Sequence, residues 1–277
     1  MEMTQINYTI GFIGGGAMAE ALMAGFIKAG LVTPEKLIAS DVNEHRINHL
    51  KEKFEIQVTS DNAAVVEGAD IIILSVKPFV LGEVLKAIGG KISQQQIIIS
   101  IAAGISTLYI EKFLLDKVPV VRVMPNTPAL VGEGATAVCC GKWAGEKHRE
   151  LALALFGAVG RAVPVPENLM DAVTGLSGSG PAYMYVIAEA LSDAGVRMGL
   201  PRDKAQTLAA QTMLGAAKMI LETNRHPGML KDMVTTPAGT AIEGLLALEE
   251  GGLRIALGRA VERACQRSRQ LSGQDKK

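Results

Sequence analysis

YTIGFIGGGAMAEAL, residues Tyr8–Leu22, sets three consecutive glycines between two apolar segments. Tyr8–Ile13 reads as a short buried strand, and Met18–Ala29 carries the apolar spacing of a helix. Between them lie Gly14, Gly15 and Gly16, and Gly14, Gly16 and Ala19 fit the pattern G-x-G-x-x-G/A. Glycines there permit a tight turn and let backbone approach a pyrophosphate, while the N-terminus of the helix faces the anion. The competing reading is a tight strand-to-helix turn and no more.

Working outward, the same alternation recurs. Strands are expected at Lys36–Ser40, Glu55–Val58, Asp70–Val76, Gln96–Ile101 and Val118–Met124, and further ones in ATAVCC (135–140) and RAVPV (161–165). A helix runs through NEHRINHLKEKF (43–54) and another over Glu146–Val159. Short apolar strands separated by helices imply a parallel sheet covered on both faces. The pattern changes near Pro164–Pro166. Beyond it strands vanish, and Pro181–Met198, Arg202–Leu221, Thr240–Glu250 and Leu253–Leu271 show helical spacing, punctuated by Gly199-Leu200-Pro201 and His226-Pro227-Gly228. The expected architecture is α/β: a Rossmann-like dinucleotide-binding domain over residues 1–165, then an all-helical domain over residues 166–277.

Bulk properties exclude several classes. With 28 Lys+Arg against 28 Asp+Glu in 277 residues, the chain lacks the charge expected of a nucleic-acid or acidic-membrane binder. Apolar runs such as Ile71–Val76 are too short to span a bilayer, and MEMTQINYTI has no signal-peptide pattern. The three cysteines, Cys139, Cys140 and Cys265, form no CxxC, which fits a reducing cytoplasm. His45, His49, His148 and His226 make no metal spacing, so no metal site is expected. Hydrophobic residues are 48% of the chain but aromatics only 4%, and the mean hydropathy is +0.25. Helix faces that look exposed are therefore expected to be buried between subunits.

Three strand ends look suited to ligand contact. Asp41 ends the second strand, 25 residues after Gly16, where an acidic residue takes the ribose diol of NAD and repels a 2′-phosphate. Arg46 is near enough to receive such a phosphate instead, so NAD and NADP both stay open; Asp41 as a plain helix cap is the competing role. SVKP (Ser75, Val76, Lys77, Pro78) and SIAAG (Ser100–Gly104) end two further strands at the edge where ligands of such sheets bind. The small residues Ala102, Ala103 and Gly104 leave room for a nicotinamide ring.

In the second half, MPNTP (124–128) offers Asn126 and Thr127 between two prolines. SGSGPAY (177–183) puts Pro181 at a helix start with Ser179 or Gly180 as cap, and TTPAGTA (235–241) repeats that logic. Two such starts offer free N–H groups that hold an anion without a cationic side chain, so a small carboxylate is the natural guest. Well-capped helices with no ligand remain the alternative.

GFIGGGAMAEAL, SVKP, SIAAG, RVMPNTPALVGEGAT, DAVTGLSGSGPAY, GLPRDKA, GAAKMILET, HPGMLKDMV and TTPAGT, in this order along essentially the whole chain, resemble the pyrroline-5-carboxylate reductases. The resemblance implies reduction of 1-pyrroline-5-carboxylate to L-proline by NADPH or NADH, the last step of proline biosynthesis. It also implies homodimers with interlocked helical domains, often joined into decamers, with each active site where two subunits meet. Cofactor contacts carried over by resemblance are Gly14, Gly15, Gly16, Ala17, Met18, Asp41, Asn62, Ser75, Val76, Lys77, Pro78, Ala102, Ala103 and Gly104. Substrate contacts are Asn126, Ser179, Gly180, Thr236, Gly239 and Thr240.

That chemistry explains a loop, Thr235–Ala241, with no His, Cys, Lys or carboxylate. A protonated imine is already electrophilic, so the protein needs only to position it and supply one proton. Here the chain departs from the family. Its common pattern is SPGGTT or SPGGAT, whose last Thr is taken to hydrogen-bond the imine nitrogen. That position is Ala241; the pattern's Ser is Thr236 and one of its glycines is Ala238. Thr240 takes over as proton donor, or water or a pre-protonated imine suffices, or the chain acts on another imine. A β-hydroxyacid dehydrogenase would need an acid–base Lys on the helix after Ser177, and PAYMYVIAEALSDAG has none. A dinucleotide-binding protein without activity is the remaining alternative, with Ala241 its one support.

Overall fold

A computed structural model of the chain describes residues 6–115, 117–271 and 273. These residues hold one sheet of β1 (Ile10–Ile13), β2 (Leu37–Ser40), β3 (Gln57–Thr59), β4 (Ile71–Leu74), β5 (Ile97–Ser100), β6 (Val120–Met124), β7 (Gly134–Cys140) and β8 (Gly160–Pro164), in the order β3-β2-β1-β4-β5-β6-β7-β8. The order reverses between β1 and β4, the switch point at which ligands of open α/β sheets bind.

The helices of this part are α1 (Ala17–Lys28), α2 (Glu44–Phe54), α3 (Asn62–Gly68), α4 (Pro78–Ile88), α5 (Thr107–Glu111), α6 (Glu146–Gly157) and the short α7 (Met170–Val173). Successive strand residues point to opposite faces, and the core divides accordingly. Ile10, Phe12, Ile71, Ile73 and Ile99 pack with Leu22 and Phe26 of α1, Leu50 of α2 and Phe156 of α6. Ile13, Ile72, Leu74 and Ile98 pack with Val65 of α3, Leu81 and Leu85 of α4 and Ile110 of α5. Near-continuous Ile and Val runs are what strands buried on both faces require.

One pairing departs from the parallel sheet expected: β6 and β7 are antiparallel, with Val121 opposite Cys140 and Met124 opposite Ala137. Only residues 125–133 join them, too short a connection for a parallel crossover through a helix. β8 then returns parallel to β7 by way of α6.

The remaining helices are α8 (Gly180–Arg197), α9 (Arg202–Thr223), α10 (Pro227–Met233), α11 (Thr240–Glu250) and α12 (Leu253–Leu271). By compactness the chain divides into a unit ending at Ser179, which also takes residues from Arg263 onward, and a unit of Gly180–Glu262. The first unit takes in residues beyond 165 through two contacts. Met170 packs with Ala137 and Cys139, and the buried Asp171 accepts the Ser268 hydroxyl at 2.6 Å.

Within the second unit only Ser192, Ala205 and Ala209 are buried. Tyr185, Val186, Met198, Leu208, Met233 and Val234 are among the large apolar side chains left exposed. A helical unit with almost no interior of its own has apolar surface to cover.

Candidate active site

The carboxyl ends of β1, β2 and β4 meet at the glycine turn. Gly14 has φ +102°, the left-handed half of the map, and a Cβ there would lie 2.9 Å from the Val76 nitrogen. Its N–H donates to the Ser40 carbonyl at 2.8 Å, and the Ser75 hydroxyl donates to its carbonyl at 2.7 Å. Gly16 differs. Its backbone is extended, at φ −68° and ψ −179°, which any residue adopts, and a Cβ there would meet nothing within 4 Å. The protein itself therefore has no need of glycine at 16. An approaching ligand backbone would, and α1 begins at Ala17 with no side-chain cap on its free N–H groups. This open cradle fits a dinucleotide pyrophosphate.

Both oxygens of the Asp41 carboxylate bond to backbone. One carboxylate oxygen accepts the Gly15 N–H at 2.7 Å and the other the Asn43 N–H at 2.8 Å. The helix-cap alternative goes to Asn43 instead, whose side chain accepts the His45 N–H at the start of α2. Each Asp41 oxygen keeps lone-pair capacity for a ligand hydroxyl. Arg46 donates from Nε to the Gly15 carbonyl at 2.8 Å and from its terminal nitrogen to Glu20 at 2.6 Å. Glu20, on α1, also pairs with His49 at 3.0 Å and Lys53 at 2.8 Å. Burial pushes the Glu20 carboxyl up, but the hydrogen bonds from His49, Lys53 and Arg46 prevail and bring it down to about 2. Glu20 lies just outside the G-x-G-x-x-G/A pattern. Its signal is the row of Arg46, His49 and Lys53 along one face of α2, a cationic face in want of an acid.

Asn62 opens α3, and its side-chain oxygen accepts the Ser40 hydroxyl at 2.7 Å. Lys77 is the extended residue before α4, Pro78 its first residue, and neither caps it by a side chain. Ala102 is buried with its N–H on the Ser100 hydroxyl at 3.3 Å, Ala103 is exposed, and Gly104 turns at φ +75°. Ala17 is exposed and Met18 half-buried on the first turn of α1, and Val76 is half-buried beside Ser75.

Asn126 is buried, and both ends of its amide are used inside the protein. Its oxygen accepts the Ala135 N–H at 2.8 Å and its nitrogen donates to the Ser177 carbonyl at 3.0 Å. It braces the loop before β7 against residues 174–178, a single π-helical turn following α7. Such bulges recur at functional positions. Here the expectation of a capped helix start at Ser179 is corrected. Ser179 is in the right-handed helical region, φ −87° and ψ −19°, and its N–H already bonds to the Thr174 carbonyl at 2.9 Å. Helical backbone thus precedes α8, and SGSGPAY is no bare N-terminus.

In the second unit, TTPAGTA does form one. The Gly239 N–H closes a turn on the Thr236 carbonyl at 3.0 Å, with Pro237 and Ala238 at its corners. Ala238 sits at φ +55°, a left-handed conformation natural to glycine. Gly239 is extended before Thr240, the first residue of α11, whose N–H groups have no side-chain cap. Thr236 and Thr240 are exposed, and Ala241 is half-buried. Gly180 and Thr240 thus open two helices of this unit, α8 and α11, and only the latter starts from extended backbone.

Two cysteine thiols are held protonated. Burial, reinforced by Glu167, pushes the Cys139 thiol up to about 12, and burial raises Cys140 as well. Among the described residues no cluster of three His, Cys, Asp or Glu side chains could hold a metal ion, and no helix is long and apolar enough to cross a membrane.

A sheet reversing at the glycine turn, followed by helices that begin on small and hydroxyl residues, defines the class: a Rossmann-type α/β protein with a helical second part. Residues 9–104 match the family model described as NADP oxidoreductase, coenzyme F420-dependent, and residues 167–271 the one described as pyrroline-5-carboxylate reductase dimerisation. A pyrroline-5-carboxylate reductase of Methanosarcina acetivorans is 54% identical over 265 residues, covering 96% of this chain and 98% of that one. The structure of a pyrroline-5-carboxylate reductase from Coxiella burnetii superposes with a TM-score of 0.91 at 35% identity, over 96% of this chain and 99% of that one. The Plasmodium falciparum pyrroline carboxylate reductase with NADP bound does so with a TM-score of 0.86 at 32% identity, over 97% and 100%. The chain belongs to the pyrroline-5-carboxylate reductase family.

Proposed function

We propose that this chain reduces 1-pyrroline-5-carboxylate to L-proline with a nicotinamide dinucleotide, the closing step of proline biosynthesis. The observation that carries the reading is the 54% identity to a reductase of that name over nearly the full length of both chains. The alternatives weaken on the same ground, and α8 offers no Lys for dehydrogenase chemistry on an alcohol.

The dinucleotide supplies hydride to the imine carbon. The chain's own residues bind, orient and protonate. The uncapped start of α1 with Gly14, Gly15, Gly16, Ala17 and Met18 takes the pyrophosphate, and Asp41 and Asn62 take the adenosine side. Ser75, Val76, Lys77 and Pro78 with Ala102, Ala103 and Gly104 border the nicotinamide side. NADP is favoured by the family model and by the NADP-bound relative. NADH shares every group but the 2′-phosphate.

Asn126, Ser179, Gly180, Thr236, Gly239 and Thr240 are our choice for the substrate. The bare N-terminus of α11 suits its carboxylate. With Ala241 in place of the family's Thr, the ring nitrogen receives its proton from Thr240 or from water. The exposed apolar faces of residues 180–262 and the dimerisation model support a homodimer, with residues 166–277 as its helical domain. Decamers rest on the resemblance alone. The free cysteines Cys139, Cys140 and Cys265 support a cytoplasmic setting.

The test is oxidation of NADPH and NADH by the purified chain, offered pyrroline-5-carboxylate beside a panel of other cyclic imines. Proline formation from pyrroline-5-carboxylate is expected. Turnover of a different imine alone, or of none, would reject the reading.

A further inference from the structure

The cationic face of α2 points toward the glycine turn but is already occupied. Arg46 is held at both ends, by the Gly15 carbonyl and by Glu20, and the same carboxylate takes His49 and Lys53. Three side chains on α2 thus converge on one acid of α1, which is itself mostly buried. Beside them, Asp41 adds a negative charge at the end of β2, fixed by the N–H groups of Gly15 and Asn43. At this position of a dinucleotide fold an acidic side chain takes the ribose diol, whereas a free Arg takes a 2′-phosphate. The chain carries both, with the Arg engaged by Glu20 and the Gly15 carbonyl.

We propose that Glu20 sets the ratio in which the two nicotinamide dinucleotides bind: by holding Arg46 and Lys53 it lowers affinity for the 2′-phosphate and leaves the ribose diol to Asp41. This rests on the dinucleotide-binding part of the proposed function. Glu20 acts through Arg46 and touches no ligand itself. Its carboxylate stays charged throughout the neutral range, because its partners hold it well below the ordinary value of 4.5. Arg46 therefore meets a 2′-phosphate with much of its charge already balanced, and must break an ion pair to engage it in bidentate fashion. NADH incurs no such cost.

The experiment is titration calorimetry of NADPH and NADH with the full-length protein, in the absence of any imine. Glu20→Gln is expected to shift the NADPH-to-NADH affinity ratio toward NADPH by about threefold to fivefold, the scale of one partly exposed ion pair. Adding Arg46→Gln to that variant is expected to abolish the shift. A merely structural Glu20 would weaken both dinucleotides alike and leave the ratio where it was, which would overturn the proposal. Should Glu20→Gln not fold, Arg46→Gln alone decides. In an otherwise unaltered protein it is expected to change NADPH affinity less than about threefold, since the guanidinium is already engaged by Glu20. A loss of tenfold or more would show Arg46 already serving the phosphate and sink the inference. Failure of both dinucleotides to bind the unaltered protein would instead reject the dinucleotide reading itself.

Discussion

The Asp41 carboxylate accepts the Gly15 N–H at 2.7 Å across 26 positions of sequence. The end of β2 thus clamps the glycine turn after β1, so the acid we propose for the ribose also shapes the proposed pyrophosphate cradle. Asp41→Ala removes a charge-assisted bond to backbone. We expect a stability loss of about 1–3 kcal/mol and weaker binding of both dinucleotides, read from urea midpoints and calorimetry. Intact stability with NADH affinity alone reduced would show that the clamp is dispensable.

Glu20 imposes a pH dependence whose sign follows from its lowered carboxyl. The folded protein holds this proton less tightly than the unfolded chain, so the carboxylate stabilises the fold above pH 4.5. That contribution is lost as pH falls from 4.5 toward about 2. In Glu20→Gln the acid limb of stability against pH should flatten over that window. Urea midpoints measured at several acid pH values check it, and parallel limbs in the two proteins would refute it.

Asn126 should respond to substitution as a brace. Asn126→Ala strips partners from the Ala135 N–H and the Ser177 carbonyl. A loss of about 2 kcal/mol or more is expected in thermal or urea unfolding, along with reduced turnover. Asn126→Asp keeps the acceptor and loses the donor, so its stability should fall between the two. Equal stability of all three would leave Asn126 a surface ligand contact only.

The turn before α11 supports two substitutions with different readouts. Ala238→Gly relieves a left-handed alanine at φ +55°. It should stabilise by a few tenths to about 1 kcal/mol, partly offset by glycine's greater freedom when unfolded. Ala241→Thr restores the hydroxyl of the family pattern. If Thr240 is the donor, Thr240→Ala should lower kcat at least about tenfold while Ala241→Thr changes it less than about threefold. A large gain in Ala241→Thr would show that the hydroxyl at 241 is missed.

Much of the fold was legible locally. The Ile-rich strands, the start of α9 after Pro201 and the glycine turn follow from side-chain period, proline geometry and the conformational freedom of Gly14. The antiparallel return of β7 was not, because a strand's direction leaves no mark on its alternation. The π-helical turn at 174–178 was missed for a related reason: TGLSG reads as loop grammar, and only its hydrogen bonds make it helical. The candidate cofactor loops were visible as strand ends, but their mutual clamps were not.

Alone, then, the sequence determined which segments are strand or helix, where the glycine turn falls, and the family to which the chain belongs. These depend on period, backbone sterics and motif order, all local quantities. Folding in three dimensions was needed to spend Asn126 on internal hydrogen bonds, to gather Arg46, His49 and Lys53 around Glu20, and to leave the apolar faces of residues 180–262 uncovered. Those facts depend on which atoms meet across long stretches of chain, and hydrogen-bond capacity and burial are settled only when they do.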